Sequence, residues 1–178
     1  DSARTYSPTA FEGLAKCAYS YFLKQVGHVK ETVRPEEIVR ISPADRGTIM
    51  HDTLERFLTD VHAAGRTPGP GQPWTAGDRE RLLASGQEQC DRAYARGITG
   101  SDLLWVVDRA RIRRDLILFL EDDTKRRTAS RATFIEAEHG FGTMEVDGQP
   151  DPSSWPPVMI ERPCGEPVGF RGRIDRVD

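Results

Sequence analysis

Gly169-Phe170-Arg171-Gly172-Arg173-Ile174-Asp175-Arg176-Val177-Asp178 is the stretch on which the reading of this chain turns. Successive side chains of a strand point to opposite faces. A strand over 168–177 therefore puts Val168, Phe170, Gly172 and Ile174 on one face, and Arg171, Arg173, Asp175 and Val177 on the other. Asp175, flanked by Ile174 and Val177, is expected near apolar packing, where an uncompensated charge is costly. A cation, or one of Arg171, Arg173 and Arg176, has to answer it. Upstream, His51 falls on an expected helix and Glu138 on an expected strand. One imidazole and two carboxylates are a donor set for a hard divalent cation.

Two shorter strands are expected before this one, over 132–138 and 157–162, parted by the turn residues Ser153-Ser154-Trp155-Pro156-Pro157. Four helices precede them. Ser7 caps the first and Pro8 opens it, and Phe11, Leu14, Ala15, Ala18, Tyr21, Phe22 and Val26 recur at helical spacing up to Gly27. Residues 28–44 read as extended, with Pro35 and Pro43 arguing against helix. The second helix is expected from between Asp45 and Thr48 to Ala64, with Ile49, Met50, Leu54, Phe57, Leu58 and Val61 inward. His51 and Glu55, four apart, share one of its sides. The Gly- and Pro-rich run 65–73 reads as a mobile surface loop. The third helix is expected over 76–96, with Leu82, Leu83, Cys90 and Tyr94 inward. The fourth is expected over 101–123, buried along much of its length through Leu103, Leu104, Val107, Ile112, Leu116, Phe119 and Leu120. Helices followed by strands give an α/β (α+β) class. The expected arrangement is one domain over 1–178, mostly helical over 1–131, with the first strands of a mixed, unfinished sheet over 132–178.

The chain has 178 residues, the size of one domain with a real core. Its 37% hydrophobic and 30% charged residues suit a polar-surfaced globular protein. No apolar run approaches the roughly 18 residues of a membrane span, and no basic-then-apolar leader is seen. An opening Asp rather than Met is expected of an excerpt or a processed chain. The net charge of −3 gives no global case for nucleic acid. The distribution says more, because 21 of the 25 basic residues are arginines, many within 109–131 and 162–176. A guanidinium can donate two hydrogen bonds to one phosphate. Arg111, Arg114, Arg126 and Arg127, with Arg113, and then Arg171 and Arg173, are candidates for contact with a DNA backbone; a solvated charged face is the other reading. Three scattered cysteines, 17, 90 and 164, fit neither a zinc ribbon nor a full disulfide set. They suit a reducing, cytoplasmic setting.

Taken in order, Ser7-Pro8-Thr9-Ala10-Phe11, Cys17-Ala18-Tyr19-Ser20-Tyr21-Phe22, Arg46-Gly47, His51, Leu54-Glu55-Arg56-Phe57, Glu138, Phe141-Gly142 and Gly172-Arg173-Ile174-Asp175-Arg176-Val177-Asp178 form one pattern. This pattern resembles the RecB-like nuclease branch of the PD-(D/E)XK superfamily. Within it, the chain is most similar to the C-terminal nuclease domain of AddB-type subunits of helicase–nucleases that process double-strand breaks. The resemblance implies a restriction-endonuclease-like core and a Mg²⁺- or Mn²⁺-dependent exonuclease hydrolysing phosphodiester bonds in DNA repair and recombination. It implies DNA, in particular single-stranded ends, and a helicase motor as partners. It further implies that His51 and Asp175 bind the metal with Glu138 at or near the site, all three being catalytic.

In that family an Asp-x-Lys or Glu-x-Lys follows the principal aspartate. Here Lys16, Lys24, Lys30 and Lys125 all precede Asp175, so the chain is expected to be cut before its site is complete and to be inactive by itself. Loss of such an electrostatic partner costs several kcal/mol of transition-state stabilisation. Cys17 matches the first ligand of an iron–sulfur staple in many AddB-like relatives. Cys90 and Cys164 do not match the others, so a cluster is implied only for the intact protein.

Two other classes compete. One is a nuclease-like module that has lost cleavage and guides single-stranded DNA or supports a helicase partner. The other is a zinc hydrolase using His51, His62 and a carboxylate. The two histidines are eleven apart on one helix, about 16 Å, too far to share an ion.

Overall fold

Caps set the helices of the middle of the chain. In the computed structural model, which describes residues 5–29, 39–142, 145–146, 149–150, 154–162 and 167–178, Ser42 Oγ accepts the Asp45 N–H at 3.0 Å. Helix α3 accordingly spans Pro43–Ala63. Pro43, expected to exclude helix, opens it instead, because the first helical position has no intrahelical use for an N–H. Thr75 and Asp78 cap α4 (Ala76–Ala95) reciprocally. Helix α5 spans Asp102–Ser130, and the Ser101 N–H before it donates to the Val39 carbonyl. Gly100 makes that approach possible, since its φ is +75° and a Cβ there would stand 2.4 Å from the Val39 carbonyl carbon.

The described residues form two compact units. One is helical, within 33–137 together with Asp178; the other is drawn from 1–32 and 138–177. In the helical unit, α4 packs on both α3 and α5 around Ile49, Phe57, Val61, Leu82, Ile112 and Leu116. Tyr94 and Leu103, expected inward, are exposed, as is much of Val107. Helix α5 runs seven residues past its expected end at Asp123 because its buried stripe continues in charged residues. Leu116, Leu120, Asp123 and Arg127 all face in.

Arg127 is 1% exposed. Its Nε donates to Asp123 Oδ2 at 2.7 Å, and Nη1 donates to the carbonyls of Pro68, Gly69 and Gln72. The guanidinium also lies over the Trp74 ring, whose Nε1 donates to the same Asp123 oxygen. The run 65–73, expected to be a mobile excursion, is thereby tied to α5. Asp108, also buried in α5, is held by Arg40 through Nε at 2.7 Å and through Nη2. The Arg40 hydrogen bond keeps the Asp108 carboxyl below the usual carboxylate range, although burial pushes the other way.

The other unit begins with β1 (Thr5–Tyr6). The expected first helix is broken at Cys17, whose φ is −162°. It becomes α1 (Pro8–Lys16), α2 (Ala18–Tyr21) and a π-helical turn, Phe22–Val26. The Cys17 sulfur caps α2 by accepting the Ser20 N–H. Strand β2 covers Glu136–Phe141, later than the expected 132–138. The pair β3 (Glu145–Val146) and β4 (Gln149–Pro150) is antiparallel, and β5 is Val158–Ile160.

The expected strand over 168–177 is two strands with different partners. Strand β6 (Val168–Phe170) lies parallel to β1 and antiparallel to β5, while β7 (Gly172–Val177) pairs with β2. The break falls at Arg171, beside Gly172, where a Cβ would come within 3.0 Å of the Phe141 ring. The class is α+β.

Candidate metal centre

Helix α3 carries the first donors. Its apolar stripe through Ile49, Thr53 and Phe57 faces the core, which leaves His51 and Glu55 together on a flank, both half-buried. A ring nitrogen of His51 and a carboxylate oxygen of Glu55 lie within 4.8 Å of each other. Asp52 stands beside the imidazole, with Nδ1 to Oδ1 at 3.7 Å. His62, eleven residues on, packs edge-on against Phe134.

Strands β2 and β7 carry the acids. The division between units falls inside β2, after Ala137, which packs on the helical core. Glu138 is the next residue, and its φ of +56° is in the left-handed region. A non-glycine residue held there costs roughly 1–3 kcal/mol and persists only where its surroundings hold it. Arg173 Nη1 lies 3.4 Å from Glu138 Oε2. Along β7, Gly172, Ile174 and Arg176 are half-buried while Arg173 and Asp175 are exposed. Asp175 therefore shares a solvent face with Arg173 and does not sit in apolar packing as expected. Alternation alone places it there, because the apolar neighbours Ile174 and Gly172 fall on the other face.

The remaining sequence candidates scatter. Arg111, Arg114 and Arg126 are on the surface of α5, paired with Asp108, Asp115 and Asp178. Arg171 and Arg173 are exposed. Arg127 belongs to the interior and is not available to a DNA backbone; a bidentate-capable guanidinium serves the loop instead. Cys17 is exposed with a free thiol, and burial pushes the thiol of Cys90 up to about 11, so it is protonated at neutral pH. Cys164 lies outside the described residues. Glu55 is not among the ligands expected from the sequence, although its four-residue spacing from His51 is the signal that marks it.

A family model described as the PD-(D/E)XK nuclease superfamily matches residues 5–178, nearly the whole chain. The chain belongs to the PD-(D/E)XK nuclease superfamily. Curated relatives of this superfamily member include the B-subunit of the ATP-dependent helicase/deoxyribonuclease of Clostridium novyi, 31% identical over 94% of the chain, and that of Clostridium tetani, 27% identical over 97%. The same-named protein of Lacticaseibacillus casei is 30% identical over 90%. The chain spans only 13–14% of the length of these relatives. No described helix of this nuclease-family chain is long and apolar enough to cross a membrane.

Proposed function

We propose that this chain is the metal-binding part of a DNA-hydrolysing nuclease domain, with His51, Glu138 and Asp175 holding one Mg²⁺ or Mn²⁺ and Glu55 offering a further oxygen. The observation that carries the reading is the pairing of β2 with β7, with Arg173, two residues from Asp175, reaching the strained Glu138. A neutral imidazole and carboxylate oxygens fit a hard divalent ion and leave sides open to water and substrate. When bound, such an ion stabilises charge on a scissile phosphate and acidifies a water. His51 has to be neutral to donate its ring nitrogen, while Glu138 and Asp175 offset the ion's charge. The exposed guanidinium groups of Arg171 and Arg173 suit the flanking phosphates. The intact protein works beside a helicase motor on single-stranded ends in the cytoplasm, and Cys17 there contributes to an iron–sulfur cluster.

Calorimetric titration of Mn²⁺ tests the site. One ion is expected per chain, and His51→Ala, Glu138→Gln and Asp175→Asn should each weaken it about tenfold or more, a loss that even outer-shell changes can bring. Wild-type affinity in both His51→Ala and Asp175→Asn would sink the assignment. Because no lysine follows Asp175 among these 178 residues, the chain by itself should release no products from linear single-stranded DNA in Mg²⁺. Brisk degradation would overturn that part.

A further inference from the structure

Trp155 is an exposed aromatic residue of the strand-bearing unit that the metal chemistry leaves unused. Its main chain is clamped to the end of β2, where the Gly142 N–H donates to its carbonyl at 2.8 Å and its own N–H donates to the Gly140 carbonyl at 2.9 Å. Ser154 Oγ adds a bond to the Gly142 carbonyl at 2.7 Å. The indole meets the buried His139 ring at 4.2 Å between centroids. Even so, Trp155 remains 47% exposed, whereas the core tryptophan Trp105 is 4% exposed. The main-chain bonds hold the residue in place and His139 backs one part of the indole, while about half of the residue's surface faces water.

Gly142 links this tryptophan to a cation. Its φ is +75°, and a Cβ there would lie 2.4 Å from Arg171 Cβ, so only a glycine lets the end of β2, to which the Trp155 main chain is bonded, come against Arg171. Arg171 is exposed, and its backbone N–H is bound to the Tyr6 carbonyl. A rigid aromatic face and a guanidinium on neighbouring segments are what single-stranded nucleic acid requires, since a base stacks on the ring and the backbone meets the charge. Sequence does not matter to such a site, because every base has a π-face.

We propose that Trp155 stacks a nucleobase of the single strand beside the nuclease site while Arg171 holds an adjacent phosphate. The identity of the strand as substrate rests on the proposed function. The binding itself needs no metal, so it is tested in EDTA, where failure of the metal site cannot imitate failure of the stack.

Anisotropy of a labelled oligothymidylate, titrated with the 178-residue chain, reads the affinity. Trp155→Ala should weaken binding about 5- to 150-fold, the range a lost base stack commands, and Trp155→Phe should restore most of it. Against log salt, Trp155→Ala should keep the wild-type slope, while Arg171→Gln should reduce it by about 0.7, the value of one phosphate contact on a single strand. A purely structural tryptophan would not separate these variants. An abasic probe of the same length should bind the wild type as weakly as Trp155→Ala binds oligothymidylate. Should Trp155→Ala fail to fold, the wild type decides alone: equal affinity for abasic and base-bearing probes would overturn the proposal, as would a folded Trp155→Ala with unchanged affinity.

Discussion

Arg127 turns its guanidinium onto the segment between α3 and α4. Three carbonyls of that segment and the Asp123 carboxylate accept from it, and both members of the pair are within 1% of full burial. Taking away one partner of a buried pair leaves the other charge without compensation, at a cost of about 3–5 kcal/mol. Arg127→Ala should lose stability of that order in urea unfolding. Arg127→Lys should recover only part, because an ammonium cannot reproduce the planar fork. Arg114, 68% exposed on the same helix and paired with its neighbour Asp115, sets the contrast. Arg114→Ala should change stability by no more than about 0.5 kcal/mol. Equal effects at the two positions would show that Arg127 is not a structural centre. Glu138 is the complementary case, a residue at which the fold bears strain rather than relieves it.

At the scale of the element, what is legible in the chain follows from whether burial uses apolar side chains. Helices α3 and α4 are visible because Ile49, Phe57 and Val61 in the first, and Leu82 and Cys90 in the second, fall at helical spacing. The last two turns of α5 are not, since Asp123 and Arg127 occupy inward positions that a hydrophobic pattern scores as surface. The break at Cys17 is hidden for a related reason: a sulfur acting as a cap leaves the apolar spacing on either side intact. The division at Arg171 cannot be read either, because alternation continues through it and only the choice of partner strand changes. His51, Glu138 and Asp175 stand out by residue type and order, whereas Trp155 looks like a turn residue beside two prolines.

Close approach of α4 and α5 is also invisible to periodicity. Gly86 is buried, and a Cβ there would lie 2.4 Å from Leu116 Cδ1, itself in the core. Overpacking of this kind costs about 1–3 kcal/mol, which should outweigh the roughly 1 kcal/mol that alanine gains over glycine in a helix. Gly86→Ala should therefore destabilise the protein. At Gly47 in α3 an added methyl group would meet nothing within 4 Å, so Gly47→Ala should stabilise it. Thermal unfolding of the two variants should move in opposite directions; a shared direction would mean that helix propensity, not the α4–α5 contact, governs both.

Across the whole molecule the apolar core is unevenly shared. All the buried hydrophobic residues among those described, from Ile41 to Phe134, belong to the helical unit. In the strand-bearing unit the buried residues, among those described, are His139, Gly142 and Gly169. Local stability follows buried contacts, and segments with few of them open at a fraction of the global free energy. Hydrogen exchange should accordingly find the amides of α3, α4 and α5 protected to the limit set by global unfolding, with those of α1, β5 and β6 exchanging much faster. The same measurement reaches the function. A ligand that binds only the folded state adds about 2.7 kcal/mol at one hundred times its dissociation constant. If Glu138 and Asp175 hold a cation, saturating Mn²⁺ should slow exchange in β2 and β7 about 100-fold and leave α4, already at the global limit, to follow only the change in overall stability. Slowing confined to the helices would place the ion elsewhere, while uniform protection in metal-free protein would mean that the two units share one cooperative transition despite their unequal cores.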